Sequence, residues 1–328
     1  MNWLITGGCG FIGTALIRRL LQEGQMIRII DDLSVGSCAA LGVCQSEVQR
    51  NVDELKDWNS LTLIVSDIRD PLVASIVADG ADVVVHLAAS TGVIPSVENP
   101  LVDFDVNARG TITYLEAARK RSVPRFVFAS SGAPLGSQVP PLHENLAPRP
   151  LSPYGASKLA GEGYCSAYWG SYGLETVALR FGNIYGPGSQ NKQSVIAKFI
   201  KHALAGEPLT IYGDGTQTRD YVFVDDIVDA IMRAASIPDI GGQLFQIATS
   251  REHTVSEVLE IIVGELAQIV EKPIRVTHAA ARAGEVIRNY SDTSKAEKML
   301  GFTAKVGLPV GIPRTIQFFM NNSLATLR

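Results

Sequence analysis

Short apolar runs alternate with amphipathic stretches along the first half of the chain, the rhythm of an α/β fold. Asn2–Thr6 is an apolar run that stops at glycines and predicts a buried strand; Thr14–Gln22 follows with helical periodicity. Met26–Ile30, Leu61–Val65, Ala81–Leu87, Arg125–Ala129 and Leu174–Leu179 predict further strands. Helices are expected from near Pro71, over Leu101–Lys120 and over Tyr154–Tyr172. Gly36–Ser60 is loose and polar and reads as connection with room for one helix. Ser90–Pro100 is turn-rich, and Pro134–Pro153 is irregular.

Beyond Leu179 the regular alternation ends. Helices are expected at Val195–Ala205, at Asp225–Ala235 with its aspartates as N-caps, at Thr254–Leu266, from Asp292 onward and at Leu308–Phe319. Strands are expected at Leu209–Tyr212, Tyr221–Val224, Gln243–Ala248 and Ile274–Thr277. The pattern predicts a doubly wound parallel sheet over residues 1–180, with a segment near 221–248 returning to it. Residues 181–328 then form mainly a smaller C-terminal α/β lobe.

Composition narrows the class. The 328 residues are 46% apolar and 19% charged, which suits a globular enzyme and not a disordered chain. A net charge of −4 leaves no basic footprint for nucleic acid. Cys9, Cys38, Cys44 and Cys165 include no C-x-x-C pair and no histidine at ligand spacing, so neither a metal site nor a disulfide framework is expected. No apolar run is long enough to predict a membrane span, and the N-terminus enters a strand at once, without the build of a signal peptide. A reducing cytoplasm fits these features.

Candidate chemistry begins at the first strand's end. Gly7-Gly8-Cys9-Gly10-Phe11-Ile12-Gly13 stands between strand and helix, the context in which glycines let a backbone approach a pyrophosphate. The second strand runs into Asp31-Asp32, where a carboxylate would accept the adenine-ribose hydroxyls and repel a 2′-phosphate; NAD is therefore favoured over NADP. Asp67 either contacts adenine or caps the helix near Pro71. His86 lies in an apolar strand and is expected to be packed core, while Leu87-Ala88-Ala89 would let a cofactor lie close. Asn107 either holds groups near a site or is merely buried and satisfied, and Ser130-Ser131 fall on the same sheet edge. Tyr154 and Lys158 stand one helical turn apart on one face, a spacing that suits a tuned general acid/base. A nearby ammonium would lower the phenol's proton affinity.

Taken together, these residues resemble the extended short-chain dehydrogenase/reductase superfamily over nearly the whole chain. The matching pieces are Thr6-Gly7-x-x-Gly10-Phe11-Ile12-Gly13, Asp31-Asp32-Leu33, Asp67-Ile68, His86-Leu87-Ala88-Ala89, Asn107, Ser130-Ser131, and Tyr154 with Lys158. Arg180-Phe181-x-Asn183-x-Tyr185-Gly186-Pro187-Gly188, Gly213-Asp214-Gly215-x-x-x-Arg219-Asp220 and Asp225-Asp226 continue them. Within the superfamily the chain looks most like the UDP-galactose 4-epimerase type. Related dehydratases carry Thr-Asp-Glu where this chain has Ser130-Ser131-Gly132, and the decarboxylases place a glutamate in the same loop.

The resemblance implies a Rossmann-type sheet holding NAD through Gly7, Gly10, Phe11, Ile12, Gly13, Asp31, Asp32, Ser34, Asp67, Ile68, Leu87, Ala88, Ala89, Asn107, Ser130, Tyr154, Lys158 and Phe181. It implies Tyr154, Lys158 and Ser131 as catalytic residues, and Ser131, Asn183, Arg219, Arg282 and Asn289 as contacts for a UDP-sugar. Each arginine could otherwise be a surface ion pair. The implied reaction is reversible oxidation at C4 of the sugar through a transient 4-keto form, performed by a homodimer joined through the helices Leu101–Lys120 and Tyr154–Tyr172. The alternatives are a UDP-uronate 4-epimerase, another UDP-sugar-modifying member, and a non-catalytic NAD sensor. Three departures stand out. Cys9 replaces a commoner alanine or serine, Gly132–Gly136 lacks the usual tyrosine, and Asn289 falls where glucose-restricted members carry a bulky tyrosine. The smaller asparagine leaves room for a C2 N-acetyl group.

Overall fold

The structure is a computed structural model that describes residues 1–42, 48–49, 52, 55, 57–267, 269–270, 273–281 and 286–325. β1 (Asn2–Thr6), β2 (Met26–Asp31), β3 (Val48–Gln49), β4 (Thr62–Val65), β5 (Val83–His86), β6 (Arg125–Ser131), β7 (Glu175–Phe181) and, much later in the chain, β12 (Gln243–Ile247) form one sheet. Its order is β12-β7-β6-β5-β1-β2-β4-β3, and every pairing is parallel. The order runs outward both ways from β1 and β5, so a crevice opens between their carboxyl ends, the place where open α/β sheets bind ligands.

Both faces of this sheet are covered, which is why its strands read as continuous apolar runs. Trp3 and Ile5 point to one core with α1 (Phe11–Gln22) and α8 (Val224–Ser236). Leu4, between them, points to the other, with α2 (Pro71–Val77), α5 (Gly110–Lys120) and Cys165 of α6 (Pro153–Tyr172). The doubly wound sheet is thus as the sequence predicts, with β12 at its edge beside β7.

The remaining elements build small sheets and a helical cluster. β8 (Asn183–Tyr185) pairs with β11 (Tyr221–Phe223), β9 (Leu209–Tyr212) with β14 (Val276–Ala279), and β10 (Thr218–Arg219) with β13 (His253–Thr254). The helices are α7 (Val195–Ala205), α9 (Val255–Leu266), α10 (Ser294–Leu300) and α11 (Leu308–Ala325), of which α7, α9 and α11 pack together. α9 opens with a reciprocal cap: Glu257 N–H donates to the Thr254 hydroxyl, and Thr254 N–H donates to the Glu257 carboxylate.

Several expected elements differ. The 90–100 turn segment contains α3 (Val93–Glu98), since proline is tolerated in a first helical turn. The single helix expected over Leu101–Lys120 is α4 (Pro100–Phe104), a π-helical turn (Asp105–Arg109) and α5. β3 and β8 are too short to leave a periodic signal. In the expected connection 36–60, Cys38–Leu41 forms a 3-10 turn and β3 adds a sheet edge; 43–47, 50–51, 53–54 and 56 lie outside the described residues. The strand expected at Ile274–Thr277 starts two residues later, at Val276, where it finds β9.

The α8 aspartates do not cap their helix, whose cap position is Phe223. Asp226 instead accepts from Lys305 and Val306 N–H, and Asp225 pairs with Arg314 at 2.7 Å, tying α8 to the C-terminal segment.

Candidate active site

The glycine loop forms because Gly7 and Gly13 leave no room for a side chain. Gly7 has φ +69°, and a Cβ there would lie 2.7 Å from Ala88 N. A Cβ on Gly13 would lie 2.5 Å from Gly7 O, so the first turn of α1 sits directly on the loop. Gly10 is the N-cap of α1; its own side-chain position faces only Gly7 O at 3.2 Å. The helix begins at Phe11, three residues earlier than the periodicity predicts. The N–H groups of Phe11, Ile12 and Gly13 therefore lack intrahelical acceptors. These donors, the partial positive charge of the helix end and the open cradle fit a pyrophosphate.

Asp31 closes the cradle. Its buried carboxylate accepts from Cys9 N–H at 2.8 Å and Leu33 N–H at 2.9 Å, and burial raises its proton affinity. Asp32 is exposed and turns one oxygen to the N–H and hydroxyl of Ser34. Asp67 takes the Arg69 guanidinium, whose hydrogen bonds hold its carboxyl below the usual range, and the helix cap goes to Asp70. Ile68 is buried against Gly110, where a Cβ would clash at 2.6 Å.

At the crevice, Thr6 Oγ1 accepts from Ala88 N–H at 3.1 Å and lies 2.9 Å from His86 Nδ1. His86 is wholly buried, stacked near Phe126 and Phe128, and burial pushes it down to about 3. It is a neutral core residue, as expected. Leu87, Ala88 and Ala89 are half-buried just beyond it, and Phe181 is buried at the end of β7.

The catalytic candidates meet across β6 and α6. Ser152 accepts from Gly155 N–H at 3.1 Å and Pro153 takes the first helical position, so the preceding Pro-x-Ser-Pro segment starts α6. Gly155 and Gly161 let the helix lie close: a Cβ would stand 2.7 Å from Ala133 O and 2.3 Å from the Phe128 ring, respectively. β6 extends to Ser131 because Ser130 and Ser131 pair with Arg180 and Phe181 of β7. The Ser131 hydroxyl accepts from Ala133 N–H at 3.2 Å, and its nearness to the Tyr154 phenol lowers that group's proton affinity. Lys158 is buried, donates to Ala129 O at 2.9 Å and lies 6.0 Å from the Tyr154 ring centre.

Burial raises the Tyr154 proton affinity, the Ser131 hydrogen bond lowers it, and the Asp103 charge raises it. Burial lowers the Lys158 value to about 8 against the charges of Asp103 and Glu162. Ser130 donates to Glu162 at 2.5 Å, and Glu162 is gripped by Arg180 at 2.7 and 2.6 Å. Tyr154, Lys158 and Glu162 recur every four residues, and that spacing is the signal by which Glu162 was findable in the sequence.

Asn107 sits on the π turn, buried. Its amide donates to Ser90 O, Asp103 Oδ1 and Ser157 Oγ and accepts from Ser90 N–H. Its polar groups join the turn, the loop after β5 and α6.

The other candidate substrate residues lie elsewhere. Asn183 is exposed on β8, its N–H on Asp220 O. Arg219 donates to Thr218 O and Val286 O, each at 2.7 Å. Asn289 lies in the segment joined to this region by Thr218 N–H to Ile287 O and Ser291 N–H to Asp220. Arg282 lies outside the described residues. Among the described residues no cluster of histidine, cysteine and carboxylates could hold a metal, and no helix is long and apolar enough to cross a membrane.

Residues 3–248 match the NAD dependent epimerase/dehydratase family. The chain is 36% identical over 328 residues to a UDP-glucose 4-epimerase of Mycolicibacterium smegmatis, covering 98% of this chain and 100% of that one. Among solved structures it is similar to a UDP-N-acetylglucosamine 4-epimerase from Methanobrevibacter ruminantium in complex with UDP-N-acetylmuramic acid. The TM-score is 0.87 at 30% identity, over 98% of each chain. It is also similar to a UDP-glucuronic acid 4-epimerase from Bacillus cereus in complex with UDP-glucuronic acid and NAD, with a TM-score of 0.85 at 30% identity, over 98% of this chain and 100% of that one. With its cradle, paired sheet halves and Tyr–Lys helix, the chain belongs to the NAD-dependent epimerase/dehydratase family, in its extended short-chain dehydrogenase/reductase, UDP-sugar 4-epimerase branch, and its cofactor is NAD.

Proposed function

We propose that this enzyme inverts C4 of a UDP-hexose or UDP-N-acetylhexosamine through a transient 4-keto sugar. The observation that carries the reading is the Tyr154–Lys158 pair on α6, with the buried ammonium 6.0 Å from the Tyr154 ring and anchored on Ala129 O, next to a 132–136 turn with no carboxylic acid. Without an acid to expel water, reversible oxidation is the chemistry left. Tyr154 takes the proton from the 4-hydroxyl and returns it, as general base and then acid. Ser131 holds the same oxygen and relays the proton. Bound NAD supplies reversible oxidation and re-reduction of C4, with no net redox change. Phe11, Ile12 and Gly13 N–H would hold its pyrophosphate, with Gly7 and Gly10 making room. Asp31, with Asp32 and Ser34, would hold the adenine ribose, and Asp67 and Ile68 the adenine side. Leu87, Ala88, Ala89, Asn107, Ser130 and Phe181 would line or support the nicotinamide half, and Lys158 the nicotinamide ribose.

Asn183, Arg219 and Arg282 would hold the nucleotide diphosphate, and Asn289 would leave space at C2 of the sugar. Residues 1–180, with the returning 221–248, serve as the NAD-binding domain, and 181–328 mainly as the nucleotide-sugar lobe. The enzyme works in the cytoplasm as a homodimer joined through α4, α5 and α6. The exposed apolar side chains of Ile94, Leu101, Phe104 and Tyr164 support that pairing.

The test is a panel of UDP-sugars assayed by product NMR. Inversion at C4 of a hexose or N-acetylhexosamine, with mass unchanged, is expected. Turnover confined to UDP-uronates would move the enzyme to the alternative substrate class. Loss of water or carbon dioxide would refute the mechanism.

A further inference from the structure

Lys158 has two buried carboxylates in its surroundings, and they differ in one respect. Glu162, on the same helix, is neutralised: Arg180 holds it by two hydrogen bonds and Ser130 by a third. Asp103, on α4 across the α4–α6 contact, is not. It is 1% exposed, Oδ1 accepts only the Asn107 amide at 2.9 Å, and Oδ2 is buried with no hydrogen-bond partner. Among the described residues no arginine, lysine or histidine forms an ion pair with it. A buried carboxylate with one neutral hydrogen bond is costly unless an opposite charge lies in reach. Lys158 is that charge.

We propose that Asp103 is a positioning residue of the reaction: its buried carboxylate, with Oδ2 lacking a protein donor and set where α4 packs on α6, is the counter-charge of Lys158 and part of the field in which Tyr154 gives and takes its proton. The proposal rests on the reading of Tyr154 as the proton carrier. The other groups facing the pair do not supply this charge. His86 on β5 is neutral, Cys165 on α6 is kept a thiol by burial, Ala129 of β6 offers a carbonyl, and Ser131 a hydroxyl. Asp103 raises both Tyr154 and Lys158. Its link through Asn107 to Ser90 and Ser157 fixes it against α6 while leaving Oδ2 free of protein donors.

The experiment follows the Tyr154 ring by tyrosine Cζ NMR in NAD-loaded protein, with Tyr154→Phe assigning the resonance, alongside the pH profile of turnover. Asp103→Asn keeps the acceptor for Asn107 and removes the charge; Asp103→Glu keeps the charge. Removing a negative charge favours the phenolate, so Asp103→Asn moves the Tyr154 titration and the acid limb of kcat about one unit lower in pH, a tenfold change in proton affinity. Asp103→Glu titrates with the wild type. If Asp103→Asn is not recovered folded, Asp103→Ser carries the same test. A Tyr154 titration unmoved by loss of the charge, or moved equally by Asp103→Glu, overturns the proposal. If the wild type epimerises no UDP-sugar, the proposed reaction fails, while the NMR titration still decides the role of Asp103.

Discussion

Glu162 and Arg180 face each other through two hydrogen bonds of 2.7 and 2.6 Å, with both side chains almost wholly buried. One guanidinium nitrogen, Arg180 Nη1, already lacks a partner. Removing the other charge would leave an uncompensated cation between β7 and α6. Glu162→Gln is therefore expected to cost about 3–5 kcal/mol, read as a lower midpoint in urea unfolding. A midpoint within error of the wild type would show that the pair is energetically neutral.

The glycine loop separates two kinds of loss. Gly7→Ala combines a left-handed backbone with a clash at Ala88, and about 1–2 kcal/mol of stability should go from the backbone alone. Gly10→Ala keeps an ordinary backbone and meets one atom, but its methyl stands at the anion cradle. It should retain most of the wild-type Tm while purifying with less NAD. Equal effects of the two variants on Tm and on NAD content would contradict this division.

Tyr154→Phe removes one hydroxyl and leaves the packing of α6. Turnover should fall by about 10²–10⁴-fold with Tm and NAD content unchanged. Full retained activity would dismiss the proton-carrier role.

His86 gives an acid signature. Its folded value near 3 lies below the ordinary 6.5, so the unfolded chain binds the proton first. The stabilisation is complete above pH 6.5 and is lost progressively as pH falls toward 3. Between pH 6.5 and 5 the loss from this one group is about 2 kcal/mol. Urea midpoints of the wild type and His86→Gln should therefore converge as pH falls through that interval. Parallel curves would mean that His86 does not contribute.

Leu101 is 81% exposed beside half-exposed Val102 and Phe104, an apolar face that a second copy would cover. Sedimentation should show a dimer, and Leu101→Glu with Phe104→Glu should yield the monomer mass. A wild type that is already monomeric at micromolar concentration would remove this interface.

How much of this was legible beforehand depends on sequence distance. The strand–glycine–helix unit, Asp31 and the Tyr154–Lys158 spacing are local, and local geometry is set by backbone conformation and helical period. The sheet strands were legible because burial on both faces demands unbroken apolar runs. β3 and β8 were not, since two or three residues cannot display a period; they exist because β4 and β11 offer open edges. The π turn was hidden in what read as one amphipathic helix.

Tertiary structure alone decided which polar groups meet. Asn107 joins Ser157 from 50 positions away, and Asp226 caps nothing on its own helix but ties down Lys305 and Val306. It also decided the electrostatics of Tyr154. The sequence by itself determined that a lysine stands one turn from the phenol. Only the packing of α6 on β6 determined that the ammonium turns to Ala129, and only the packing of α4 against α6 buried the Asp103 carboxylate beside that helix. Spacing along one helix is written in the chain, whereas the field at a buried group is the sum over every element folded around it.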